Sequence, residues 1–289
     1  MYSLYSKSYS ENKAMKLSII TITYNNLEGL RRTVRSVLAQ NYRNWELIVV
    51  DGGSTDGTKD WLQETADSLN SKEETIFRFV SEPDKGIYNA QNKGIAMAKG
   101  EYCYFLNAGD ELCGDYVLEK MLLGTNTDIV YGNEIEVYNK DGKVVRKSRV
   151  RGVENPTMLD LYQSCMKHQA TIIRRSLFDR YGVYDESLKM CADWEWFWRV
   201  IGFHNDVTLA YKNIDVALFE AGGFSYTHPE IDREETEIVR DRYMPSHRMQ
   251  ADYDFFCRYE RLRDAEQVPI LRFGLKTIMW CIKHIRRRK

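Results

Sequence analysis

Four acids in this chain stand at positions where a carboxylate can do chemistry. Asp51 follows the apolar run WELIVV and opens DGGSTDGT. Asp84 lies in EPDKG, between an apolar run and a helical one. Asp110 closes LNAGD, directly after YCYFL. Asp193 opens DWEWFWRV. Each has a plainer reading: Asp51 as a turn residue, Asp84 as a helix cap, Asp110 as a solvated loop acid, Asp193 as a cap. The functional alternatives are specific. Asp51 would accept a hydrogen bond from a base or ribose group. Asp110 would ligate a hard divalent cation, which takes carboxylate and phosphate oxygens. Asp193 is rotated roughly 160° from Glu195 on a helix, which puts it at the edge of the face carrying Trp196, Phe197 and Val200. Aromatic neighbours are expected to raise its pKa, as suits a general base near neutral pH. Glu195 and Arg199, four apart, read as a solvated pair. Asn92, a poor helix former, is expected to face the cleft. His168 in KHQAT and His228 in THPE read first as hydrogen-bonded structural residues, with a place near bound substrate as the alternative.

These acids need elements to carry them. LSIITIT (17–23), WELIVV (45–50), FRFVSEPD (77–84) and YCYFL (102–106) read as strands. The segments at 27–40, 58–69 and 87–99 have helical spacing, with Gly100 as the last one's stop. Strands alternating with helices mean βαβ units and a parallel sheet. In such sheets ligands bind at the carboxyl ends of the strands, so Asp51, Asp84 and Asp110 are expected across one cleft. Beyond it, Asp141-Gly142 predicts a hairpin between two alternating runs. Helices are expected at about 157–165 and at 192–203, with strands over 207–223.

Composition narrows the class. The chain has 289 residues and a net charge of −1, which gives no global case for nucleic acid. Six cysteines without paired spacing read as reduced thiols of a cytoplasmic protein. No apolar stretch is long enough to span a bilayer, and the first fourteen residues lack a signal-peptide core. The expected division is a tail at 1–14, a catalytic domain at 15–233 and a helical extension at 234–289. Basic residues interleaved with apolar ones over 268–289 read as a helix lying on the inner face of the cell membrane.

Together the motifs resemble glycosyltransferase family 2, the inverting enzymes of GT-A fold. The likeness runs over roughly residues 15 to 225, through SIITITYNNLEGLRRTVRSVLAQNYRNWELIVVDGGSTDGT and SEPDKGIYNAQNKGIAMAKGEYCYFLNAGD. It implies an α/β, Rossmann-like mixed sheet flanked by helices. It further implies a nucleotide-diphosphate sugar donor, with UDP expected, a divalent metal (Mn²⁺ or Mg²⁺), and a glycan or lipid-linked glycan acceptor in bacterial surface-polysaccharide synthesis. Hexosyl and N-acetylhexosaminyl transfer both fit. Carried over by residue, Thr23, Tyr24, Asn25, Asp51, Asp84, Lys85, Asn92 and Asn107 would line the nucleotide site. Asp110 would hold the metal and Asp193 would be the base. His168, Glu195 and His228 would lie on the acceptor or diphosphate side. The chain departs from the family pattern at Gly52 and Asn89, where acids are common, and has one acid rather than two in the metal motif. The competing classes are a nucleotidyltransferase, whose Gly-rich phosphate loop is missing from TYNNLEGLRR, and a non-catalytic glycan-binding module, which loss of both Asp110 and Asp193 would favour.

Overall fold

The computed structural model describes residues 16–70, 76–140, 143–164 and 166–266, with 271, 273, 274, 276–278 and 280 beyond them. The N-terminal tail and most of the basic 268–289 segment, including Arg286–Lys289, lie outside the described residues. So do Asp141 and Gly142 of the expected hairpin turn.

The first half alternates as its pattern dictates. Strand β1 (Leu17–Thr23) leads through helix α1 (Leu27–Leu38) to β2 (Trp45–Asp51), and α2 (Thr58–Asn70) leads to β3 (Ile76–Ser81). Helix α3 (Ile87–Met97) then returns the chain to β4 (Tyr102–Phe105). These four strands are parallel in the order β3-β2-β1-β4. The order reverses at β1, which makes the β1/β4 edge a switch point where a crevice opens.

The second half makes the sheet mixed. It contains β5 (Glu111–Leu112), α4 (Val117–Leu122), β6 (Ile129–Lys140), β7 (Lys143–Val150), α5 (Met158–Gln163), a short 3₁₀ turn at His168–Ala170 and β8 (Thr171–Arg174). Next come α6 (Ser176–Tyr181), α7 (Ala192–Ile201), β9 (Leu209–Ala221), α8 (Phe224–Thr227), α9 (Pro229–Tyr243) and α10 (His247–Glu266). Strand β8 runs antiparallel to β4, β6 antiparallel to β8, and β9 parallel to β6. The hairpin expectation holds, since β6 and β7 pair antiparallel.

Both faces of the sheet are covered. Along β1 the period of two sends Ile20 to one face, with α3, α6, α7 and α9, and Leu17 and Ile19 to the other, with α1, α2 and α4. The division expected at 233/234 falls inside α9, whose Val239 is fully buried in the first core. Among the described residues no helix is long and apolar enough to cross a membrane.

Candidate active site

The loop after β4 is built tightly onto β1. Leu106 and Ala108 donate their amides to the carbonyls of Ile20 and Ile22, both at 3.0 Å. Gly109 takes a positive φ of 111°, where a side chain would be strained. The Thr33 hydroxyl of α1 lies under the loop, accepting from the Gly109 amide at 3.0 Å and lying 2.7 Å from the Asp110 carbonyl. Asp110 is thereby buried at 4% exposure, and its Oδ1 accepts the Glu220 amide at 3.2 Å. Burial pushes its pKa up to about 7; Glu134 and Glu220 add to this, while the Glu220 amide and His168 oppose it.

Across from it, the 3₁₀ turn and α7 bring two groups together. His168 Nδ1 lies 2.8 Å from Asp193 Oδ2. The Tyr88 hydroxyl of α3 reaches Asp193 Oδ1 at 3.0 Å and also the Met190 carbonyl, and the Trp194 amide donates to Oδ1 at 2.9 Å. Burial works to raise the Asp193 pKa, but the His168 hydrogen bond and charge, with Tyr88 and the Trp194 amide, hold it below the ordinary carboxylate value. This corrects the expectation of a raised value: aromatic neighbours desolvate the acid, but three donors stabilise its charge. Burial works to lower the His168 pKa, and Asp193, Asp110 and Glu134 raise it above the ordinary imidazole value.

Asp110, His168 and Asp193 line one cavity of about 740 Å³. Its walls also carry Asn26, Tyr88, Asn107, Glu134, Glu136, Lys167 and Glu220. Five carboxylates therefore face two basic side chains, Lys167 and His168. Such a site favours a cation or a neutral polyol and needs added positive charge before it can accept a diphosphate. Glu134, Glu136 and Glu220 were missed in the sequence reading. The alternation in NEIEVY was the signal for Glu134 and Glu136, since residues two apart on a strand share a face. Asn107 is among the predicted residues that do line the cavity, with Nδ2 at 3.4 Å from His168 Nε2.

The other expected nucleotide-site residues do not line this cavity. The β1–α1 turn stands between: Asn26 Nδ2 donates to the Ala108 carbonyl at 3.1 Å on one side, and the Asn25 amide to Ser54 Oγ at 2.7 Å on the other. Asp51 is fully buried, and its carboxylate accepts from Ser54 Oγ at 2.5 Å and Ser81 Oγ at 2.7 Å. Asp84 caps its own loop through the Gly86 amide at 2.9 Å. A Cβ on Gly52 would come within 2.6 Å of Asp84 Oδ2, the movable end of a side chain. Thr23 is buried with no partner for its hydroxyl among the described residues, Tyr24 presents an exposed ring, and Lys85, next to Asp84 in sequence, is exposed.

Three residues point elsewhere. The Asn92 amide is engaged with Tyr184, accepting its N–H at 3.1 Å and donating to its carbonyl at 2.9 Å, so it ties α3 to the 184–186 loop. Glu195 is not solvated: at 2% exposure it holds Arg199 through two contacts at 3.0 Å and also meets Tyr243. The cause is α9, which covers this side of α7. His228 stacks on Phe224, with ring centroids 4.3 Å apart, and does not line the cavity.

A parallel sheet reversing at β1, extended by antiparallel strands and bearing an acid loop after β4, is the architecture of GT-A glycosyltransferases. The family model for glycosyl transferase family 2 matches residues 18–182, and the chain belongs to that family. A Mycobacterium tuberculosis protein named as an uncharacterised glycosyltransferase is 35% identical over 201 residues, covering 68% of this chain and 72% of its own. A Mycobacterium bovis PGL/p-HBAD biosynthesis glycosyltransferase is 32% identical over 222 residues, 74% of this chain and 80% of its own. Among solved structures, Staphylococcus aureus TarS 1–349 with UDP-GlcNAc has a TM-score of 0.58 at 17% identity, covering 85% of this chain and 72% of that one. The longer TarS chain is covered to 43%. The Pyrobaculum calidifontis mannosyltransferase with GDP-Man and Mn²⁺ also scores 0.58 at 17% identity, covering 81% of this chain and 66% of that one.

Proposed function

We propose that this chain transfers a sugar from UDP to an acceptor hydroxyl, with inversion at the anomeric carbon, in building a surface glycan. The observation that carries this reading is the single cavity walled by Asp110 on one side and by the Asp193–His168 pair on the other. The UDP-GlcNAc complex of TarS supports the donor class through the shared fold. A Bacillus subtilis protein named for putative teichuronic acid biosynthesis, 40% identical over 106 residues, supports a polysaccharide role.

The residues fit a divalent cation held jointly with substrate. Asp110 is a buried acid among further acids, and no group of three or more His, Cys, Asp or Glu among the described residues could hold a metal ion alone. Asp110 would therefore hold Mn²⁺ or Mg²⁺ together with diphosphate oxygens. When bound, the ion supplies charge neutralisation for the departing UDP. His168 reaches from Asp193, through Nδ1 at 2.8 Å, toward Asn107 of the Asp110 loop, 3.4 Å from its Nε2, and so stands where a donor can meet the departing diphosphate. Asp193 is held ionised and oriented by Tyr88 and His168. It receives the acceptor's proton as that oxygen bonds to the anomeric carbon and the bond to the diphosphate breaks on the opposite face. Ser54 and Ser81 hold Asp51 in a fixed loop next to the exposed Tyr24 ring, a surface suited to the nucleoside. The basic 268–289 segment, with Trp280 exposed, brings the enzyme to an anionic membrane carrying a lipid-linked acceptor.

The test is thermal stability with UDP, GDP, CDP and dTDP, with and without Mn²⁺, on wild type and Asp110→Ala. UDP with Mn²⁺ is expected to stabilise the wild type and not the variant; a ligand at a hundred times its Kd adds about 2.7 kcal/mol. Asp193→Asn should keep that shift and lose about 10²-fold or more in turnover. The absence of any nucleotide shift would remove the donor reading.

A further inference from the structure

Glu134 has no part in the mechanism above, and its environment is costly. It sits on β6 at 1% exposure. Its Oε2 is buried and has no hydrogen-bond partner among the described residues. Leaving a buried acid oxygen unpaired costs more than a made hydrogen bond returns, so such a group calls for a partner from outside the chain: a water, an ion or a bound ligand. Glu134 lines the same cavity as Asp110 and Asp193, and Glu136, two residues on, shares its face of the strand.

Its position identifies the donor. Glu134 shares its cavity with Asp110, His168 and Asp193, close enough for its charge to bear on all three. In the reading above, Asp110 marks the diphosphate and Asp193 the acceptor hydroxyl. What lies between a diphosphate and an acceptor is the transferred sugar ring, whose outward groups are hydroxyls. A carboxylate accepts from two adjacent hydroxyls, and a site built to hydrogen-bond a hydroxyl discriminates strongly against a substrate that lacks or misplaces it.

We propose that Glu134 grips hydroxyls of the nucleotide-linked sugar and thereby sets which hexose the enzyme accepts. This rests on the glycosyltransferase reading of the same cavity, and the experiment separates the two. Binding of UDP and of UDP-glucose, UDP-galactose and UDP-GlcNAc, each with Mn²⁺, is measured by calorimetry on wild type, Glu134→Gln and Glu134→Ala. The wild type is expected to bind one conjugate more tightly than UDP and to separate the glucose and galactose epimers. Both variants should bind UDP as the wild type does, bind the preferred conjugate about tenfold more weakly, and lose the epimer separation. Unchanged conjugate affinity in both variants overturns the proposal, as does a wild type that binds UDP but no conjugate better than UDP. Equal loss of UDP and conjugate binding in the variants also overturns it, since a merely structural role would act that way. A wild type that binds neither UDP nor any conjugate overturns the parent reading, and this one with it.

Discussion

At the scale of single residues, the Asp193–His168 pair is the most informative feature. The sequence marked both residues, but their contact crosses 25 positions and reverses the sign expected for the acid's pKa. The pH dependence follows from the histidine. Its folded pKa is raised, so it adds stability that is fully present below the ordinary value of 6.5 and is lost as pH rises through the higher folded value. The melting midpoint of the wild type should therefore exceed that of His168→Gln most near pH 6, with the gap narrowing toward pH 9. A gap independent of pH would show that no ion pair contributes. The carboxylates Asp51 and Asp110, both legible as acids at strand ends, came out in different settings: one closed by Ser54 of its own loop and Ser81 at the end of β3, the other lining a cavity.

At the scale of elements, most of the βα half was legible because hydrophobic periodicity is a local signal. Gly100 shows where that signal misleads. It read as the stop of α3, but the helix ends at Met97 and Ala98 is already extended. Gly100 is glycine because β1 passes against it: a Cβ there would lie 2.6 Å from the Ser18 amide nitrogen and 2.7 Å from the Leu17 carbonyl carbon. Backbone cannot yield as a side chain can. Gly100→Ala should cost about 1–3 kcal/mol of stability, read by denaturant unfolding, and should displace the start of β4 that leads to Asp110. A neutral effect would mean that β1 and β4 can separate without penalty.

At the scale of the molecule, helix α9 holds the segment that leads to Asp193. Glu235 of α9, buried at 6% exposure, accepts the amides of Lys189 at 2.6 Å and of Met190 and Cys191, both at 2.9 Å. Tyr88 holds the same segment from the other side through the Met190 carbonyl. These residues lead directly into α7, so α9 sets where Asp193 stands. Removing the carboxylate in Glu235→Ala leaves three amides without their acceptor, at a cost on the order of a few kcal/mol. A lower melting midpoint and a fall in kcat are expected, with the nucleotide-induced shift retained. If kcat is unchanged, α9 only stabilises the fold. A charged helix so far along the chain carried no sequence signal for this, because burial of Glu235 depends on contacts 44 to 46 residues away.

The order of strands and helices, the acids at their ends and the family likeness follow from the sequence alone, because each rests on residue types a few positions apart. Which acids share a cavity is decided by the tertiary fold. Asp110 meets the Glu220 amide across 110 positions, and β6 brings Glu134 into the cavity that Asp110 shares with the Asp193–His168 pair. Burial and partner charges, and hence which carboxylate stays ionised and which is pushed up to about 7, exist only once those distant segments are packed together.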